Sequence, residues 1–146
     1  MQGITGIGHI ALKVRDLDRS LDFYRDRLGF AEMMRINHPD GSLWLVYLRV
    51  TDEQFIEIFP GAENDRSPGW NGNCITHVCL TVDDLDRVVD EIEARGIKLL
   101  IEKKTADDGN RQAWIEDPDG NRIEFMQINP DSMQVRGIRR LRAEAR

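Results

Sequence analysis

The hydrophobic pattern changes period in a fixed order along the chain. Ile10, Leu12 and Val14 alternate with His9, Ala11 and Lys13, the two-residue period of a strand with one face on a core. Asp16 follows as an N-cap, and Leu17, Leu21, Tyr24 and Leu28 then keep helical spacing up to Gly29, where a left-handed stop is wanted. Three strands are expected next, around residues 31–36, 42–50 and 54–59, with turn chemistry at His38-Pro39-Asp40-Gly41. The second half repeats the order. A strand from His77 leads to Asp84 as N-cap, a helix through Leu85, Val88, Val89 and Ile92, a stop at Gly96, and strands over 98–102, 112–117 and 121–127. Asp117-Pro118-Asp119-Gly120-Asn121 is a strong hairpin turn. Each half reads βαβββ.

The two halves are similar in sequence as well as in pattern. A shift of 68 lays residues 9–22 on 77–90 with eight identities in fourteen positions, among them His9/His77, Leu12/Leu80 and Asp16/Asp84. At a shift of 67, Phe55-Ile56-Glu57-Ile58-Phe59 falls on Arg122-Ile123-Glu124-Phe125-Met126, so each half carries one His and one Glu. These boundaries give one α+β domain over 1–130, with module 1 at 6–59, a Gly/Asn/Pro-rich linker at 60–73 and module 2 at 74–128. Residues 131–146 form an Arg-rich C-terminal tail. The two modules are expected to pair about a pseudo-two-fold axis into a cup-shaped mixed sheet.

Composition narrows the function classes. With 146 residues, 40% hydrophobic and 32% charged, the chain lies in the globular range and needs no metal or disulfide merely to fold. A net charge of −6 argues against a nucleic-acid partner. No apolar run is long enough to span a membrane, and MQGITGIGH has no export-signal pattern. Cys74 and Cys79 suit two reduced thiols, so a cytoplasmic protein is expected. From Gln134 onward five Arg and one Glu give about +4 against about −10 for the rest. This suits either a surface helix packed on a partner subunit of a homodimer or a frayed end.

His9, Glu57, His77 and Glu124 share the parity opposite to Leu12, Ile56, Leu80 and Ile123 and are expected to face the cup, where all four would converge. Two imidazoles and two carboxylates form a mixed N/O donor set for one divalent first-row cation. Taken singly, a strand His is usually a hydrogen-bonded side chain and a strand Glu is usually solvated. Recurrence of both at equivalent places favours metal, because a Glu among Ile, Phe and Met is otherwise costly to bury. His38, in its turn, is expected to face solvent.

GHIALKVRDLDRSLDFYRDRLGF, FIEIF, THVCLTVDDLD and EDPDGNRIEF together resemble the vicinal oxygen chelate superfamily, which includes glyoxalase I, fosfomycin-resistance enzymes, extradiol dioxygenases and bleomycin-resistance proteins. The resemblance covers residues 6–128. It implies a cup of paired βαβββ modules and one divalent metal ion (Ni, Co, Zn, Mn or Fe) on His9, Glu57, His77 and Glu124. A carboxylate at Glu57 resembles glyoxalase I, or lactoylglutathione lyase, more than the three-ligand members. The activity implied is lyase or isomerase chemistry: a proton moves on a small α-hydroxycarbonyl or hemithioacetal through an enediolate, with Glu124 as base and Glu57 exchanging roles with it. Lys13 stands where bacterial glyoxalase I has an Arg, and the stretch after Glu57 lacks that enzyme's polar glutathione-pocket residues. Lys13, Tyr47, Arg111, Gln112 and Trp114 are the candidates to orient a small-molecule substrate, with packing for Trp114 and an ion pair for Arg111 as the plainer readings. The rivals are a metal-dependent dioxygenase and a non-catalytic small-molecule-binding protein of the resistance type.

Overall fold

The computed structural model describes residues 3–145. Met1, Gln2 and Arg146 lie outside the described residues, and with them the outer ends of the leader and tail readings. The chain divides into two compact units, the first ending at Ser67 and the second starting at Pro68. The fold class is α+β, with one four-stranded mixed sheet in each unit.

In the first unit β1 (His9–Val14) leads to α1 (Leu17–Leu21), then β2 (Ala31–Asn37), β3 (Leu43–Arg49) and β4 (Phe55–Pro60). The sheet order is β1-β4-β3-β2, with β1 parallel to β4 and the other pairs antiparallel. Asp16 caps α1, its carboxylate accepting from Arg19 N–H at 3.0 Å. One face of the sheet, with Val14, Val46, Leu48, Ile56 and Ile58, is buried with Leu21, Phe23 and Tyr24. Burying each such side chain stabilises by about 1.5–3 kcal/mol. The predicted single α-helix is not what forms beyond Leu21: Asp22–Arg27 is a π-helix, with Leu28 N–H donating to Phe23 C=O at 2.8 Å. The wider turn reduces the angle between successive side chains. Adjacent Phe23 and Tyr24 can then both enter the core, edge to face at 5.1 Å.

In the second unit β5 (Val78–Val82), α2 (Leu85–Ala94), β6 (Ile101–Thr105), β7 (Arg111–Glu116) and β8 (Arg122–Gln127) repeat the plan in the order β5-β8-β7-β6. Leu85, Val89 and Ile92 of α2 are buried, as are Ala113, Ile115, Ile123 and Phe125 on one sheet face. Two Asx-type turns set the strands. Asp117 accepts from Asp119 N–H at 2.9 Å, Asn121 N–H at 2.7 Å and the Asn121 amide at 2.9 Å. Asn110, fully buried, bonds Asp108 at 2.7 Å and Gln134 at 3.1 Å, and accepts from Asn129 N–H at 2.9 Å. This Asn110 turn fixes the β6/β7 register, so β6 starts at Ile101, later than the predicted 98–102, with a shift between Ile101 and Lys104.

The tail is helical over its described residues: α3 (Met133–Glu144) is capped by Ser132 and has no buried residue. The linker is not uniformly irregular either, since Gly69–Asn71 forms a 3-10 turn carrying Trp70. No helix among the described residues is long and apolar enough to cross a membrane.

Candidate functional site

Each sheet has a second face, opposite its helices, and each places one His and one Glu there. In the first unit Glu57 sits mid-strand on β4, in register with Ala11 on β1 and Tyr47 on β3. His9 lies two residues before Ala11 on the same face, its Nδ1 3.6 Å from Glu57 Oε1. Glu57 is only 6% exposed. The Glu57 carboxylate, in register beside Tyr47, holds the phenol above its usual pKa. Lys13 shares the face, in register with Phe59, and is exposed. His38 is exposed as expected, its ring 5.7 Å from Trp44.

In the second unit Glu124 is 8% exposed and lies in register with Cys79 on β5 and Trp114 on β7. His77 immediately precedes β5, with Nε2 3.4 Å from Glu124 Oε2. Its other nitrogen, Nδ1, is 3.0 Å from Thr76 Oγ1. In the tautomer with the proton on Nδ1, that proton goes to Thr76 and the Nε2 lone pair faces Glu124, the arrangement a metal-binding imidazole needs. Cys79 is exposed at the strand, and the neighbouring Glu124 carboxylate pushes its thiol up, which favours the neutral form.

Trp114 is buried, 4.7 Å from the His77 ring and 5.5 Å from Trp70. Gln112, two residues before Trp114 on β7, shares its face. Arg111 does not. It lies on the helix side, donating to Asp86 at 2.9 Å and Gln127 at 3.2 Å, and with Lys103 it holds the Asp86 carboxyl well below the ordinary range. Cys79 and Arg122 were not singled out from sequence. The signal for both was parity, since each stands two residues from a candidate ligand on the same strand run.

The donor chemistry fits a divalent cation. Two donors each about 2.1 Å from one ion, at tetrahedral to octahedral angles, lie about 3.0–3.5 Å apart. The two His–Glu separations of 3.6 and 3.4 Å are close to this and longer than a direct hydrogen bond. Among the described residues no three His, Cys, Asp or Glu side chains form a group that could hold a metal ion, so the donors come in twos, one pair per unit.

Comparison with known proteins follows the same lines. The family model described as Glyoxalase/Bleomycin resistance protein/Dioxygenase superfamily matches residues 6–125. A lactoylglutathione lyase of Neisseria meningitidis serogroup A is 31% identical over 121 residues, covering 82% of this chain and 88% of that protein. The crystal structure of a lactoylglutathione lyase from Agrobacterium tumefaciens superposes with a TM-score of 0.64 at 26% identity, over 86% of this chain and 96% of that one. TnmS3, an antibiotic-binding protein from Streptomyces sp. CB03234, shares the fold with a TM-score of 0.70 at 20% identity, covering 88% and 100% of the two chains.

Proposed function

Since this chain belongs to the glyoxalase/bleomycin resistance protein/dioxygenase superfamily, we propose that it is a divalent-metal-dependent lyase or isomerase of glyoxalase I type. Its substrate is a small α-hydroxycarbonyl or hemithioacetal. The observation that carries the reading is the buried Glu beside a His, made twice, once on the face of each sheet opposite its helices. Relatives named lactoylglutathione lyase support it at about the same level of identity.

His9, Glu57, His77 and Glu124 would hold the metal, one pair from each kind of module. When bound, the cation supplies positive charge for oxygen as a carbon acid beside a carbonyl loses its proton. The rest falls to the chain's own residues. His77, steadied by Thr76, keeps a fixed ring orientation. Glu124 takes the carbon-bound proton on a carboxylate oxygen and returns it to the adjacent carbon, with Glu57 able to exchange roles. Tyr47, in register with Glu57 on the same face, is placed to orient it. Trp114 covers the His77 side and excludes water. A homodimer in the cytoplasm completes the proposal, in keeping with the free thiols of Cys74 and Cys79.

The test is elemental analysis of tag-free, dialysed protein beside His77→Ala. About one divalent ion per chain in wild type and none in the variant is expected, followed by metal-dependent conversion of the methylglyoxal–glutathione hemithioacetal or an α-hydroxycarbonyl. Failure of wild type to retain metal after reconstitution would refute the reading. Oxygen consumption with a catechol and Fe(II) would replace it with the dioxygenase.

A further inference from the structure

Arg122 stands two residues before Glu124 on β8, so both side chains leave the same sheet face about 7 Å apart along the strand. Its guanidinium carbon lies 4.1 Å from the centre of the Trp70 ring. Trp70 in turn packs on Trp114 and lies 6.3 Å from the His77 ring. The cation is thus part of the aromatic wall around the His77–Glu124 pair. Three donors in this wall are buried and have no hydrogen-bond partner: Arg122 Nε, Arg122 Nη1 and Trp114 Nε1.

A buried guanidinium with unpartnered N–H groups is unusual, because each such donor costs about 1–3 kcal/mol until an acceptor reaches it. Cation–π contact with Trp70 offsets part of this but supplies no acceptor lone pair. Nor does the βαβββ frame require a cation here. At the equivalent place in the first unit the residue is Phe55, packed against Tyr47 at 6.3 Å, and the unit folds the same way. Trp70 is held over Arg122 by a short turn with Gly69 at φ 72° and Gly72 where a Cβ would come within 2.2 Å of Pro68 Cβ. Trp70 is 50% exposed, so this side of the wall borders solvent.

We propose that Arg122, with Trp114 Nε1 and the Trp70 ring, is the subsite that binds a carboxylate of the substrate. The substrate class narrows to small carbonyl compounds bearing a free carboxylate a few bonds from the reacting carbon. The Nη1–Nη2 edge of the planar guanidinium can donate two N–H···O bonds to one carboxylate, Nε donating from the other side, and the two rings exclude water from the contact. Arg122 stands between Glu124 on its own strand and Glu116 opposite it on β7, and supplies the positive charge an anionic substrate needs beside these two carboxylates. This inference rests on the proposed enzymatic reading only for the word substrate, since the carboxylate site is tested by binding alone.

Succinate, with dimethyl succinate as its uncharged counterpart, is titrated into the full-length protein in excess EDTA. Tryptophan fluorescence is followed in a Trp44→Phe background, so that Trp70 and Trp114 report. Saturable quenching by succinate and none by the diester is expected, with affinity lowered at least about tenfold in Arg122→Gln and to a smaller degree in Arg122→Lys. Circular dichroism and metal content should match wild type in both variants. The proposal is overturned if the diester binds as well as the diacid, or if Arg122→Gln binds succinate like wild type. It is also overturned if wild type shows no saturation by about 50 mM, well above the millimolar range expected of one charged anchor, or if Arg122→Gln loses fold or metal while Arg122→Lys does not bind. A wild type without metal refutes the enzymatic reading and leaves the succinate result to decide Arg122.

Discussion

Replacing Asp117 by Ala should weaken the second unit by about 3 kcal/mol. The carboxylate is 4% exposed and accepts from Asp119 N–H at 2.9 Å, Asn121 N–H at 2.7 Å and the Asn121 amide at 2.9 Å. Each lost bond is worth about 1 kcal/mol where water can partly re-enter, as at a surface turn, and more where it cannot. Asp117→Asn keeps one carbonyl oxygen for the two backbone donors but turns an NH2 group towards the Asn121 amide, so its loss should be about 1 kcal/mol. Urea denaturation followed by far-UV circular dichroism reads both, as a lower midpoint at unchanged slope. The turn joins β7 to β8, so it also sets where Arg122 and Glu124 emerge, and metal retention should fall in the Ala variant before the unit unfolds. An Ala variant within 1 kcal/mol of wild type, or an Asn variant as damaging as Ala, would refute the reasoning.

Leu48→Ala removes a fully buried side chain from the first sheet and should cost about 3 kcal/mol by the same assay, whereas a loss under 1 kcal/mol would mean that the core closes around the gap. Asp86 is held below its ordinary range by Arg111 and Lys103, so the stability it contributes is present above about pH 4, the unfolded value, and is lost as pH falls below it. Asp86→Asn should therefore melt lower than wild type at pH 7 and converge with it towards pH 2; a constant difference across that range would show that the pairing is irrelevant. Tyr47→Phe removes the hydroxyl beside Glu57 and should lower kcat about 10-fold or more while metal per chain stays the same, on the general scale for a group that orients an acid or base. Unchanged kcat would confine Tyr47 to packing.

The parts of the fold that were legible are those fixed by local chemistry. Asp16 and Asp84 act as N-caps and Asp117 organises its turn because the backbone donors each satisfies lie within four residues. What was not legible depends on contacts distant in sequence. Nothing local says that Phe23 must enter the core beside Tyr24, and that demand makes the helix widen. The apolar Leu99-Leu100 pair drew the expected β6 too early, whereas the Asn110 turn, tied to Gln134 and Asn129, sets its register. At the site the His and Glu positions were visible through their repetition. Arg122 was not, because a charged residue at a strand end reads as solvated until Trp70, fifty-two residues earlier, is found against it.

The sequence repeat explains why the His–Glu pairs of the two units agree in their donors and differ in what surrounds them. The register that puts Glu57 beside Tyr47 puts Glu124 beside Trp114, the same shift of 67 sets Phe55 against Arg122, and the shift of 68 sets Ala11 against Cys79. The His and Glu are the residues a shared ion would constrain, since each donor must keep its reach and its charge. The surrounding positions carry no such constraint and can specialise. Around Glu57 the first module has Tyr47 on Phe55, with the cations of that face, Lys13 and Arg49, exposed, while the second buries a guanidinium against tryptophan. Selectivity for a charged substrate group is therefore carried by the second module. Arg122→Phe, which copies the first module's wall into the second, should keep the His77–Glu124 pair and its metal and lose the preference for succinate over its diester. If that preference survives the change, the asymmetry between the modules has another cause.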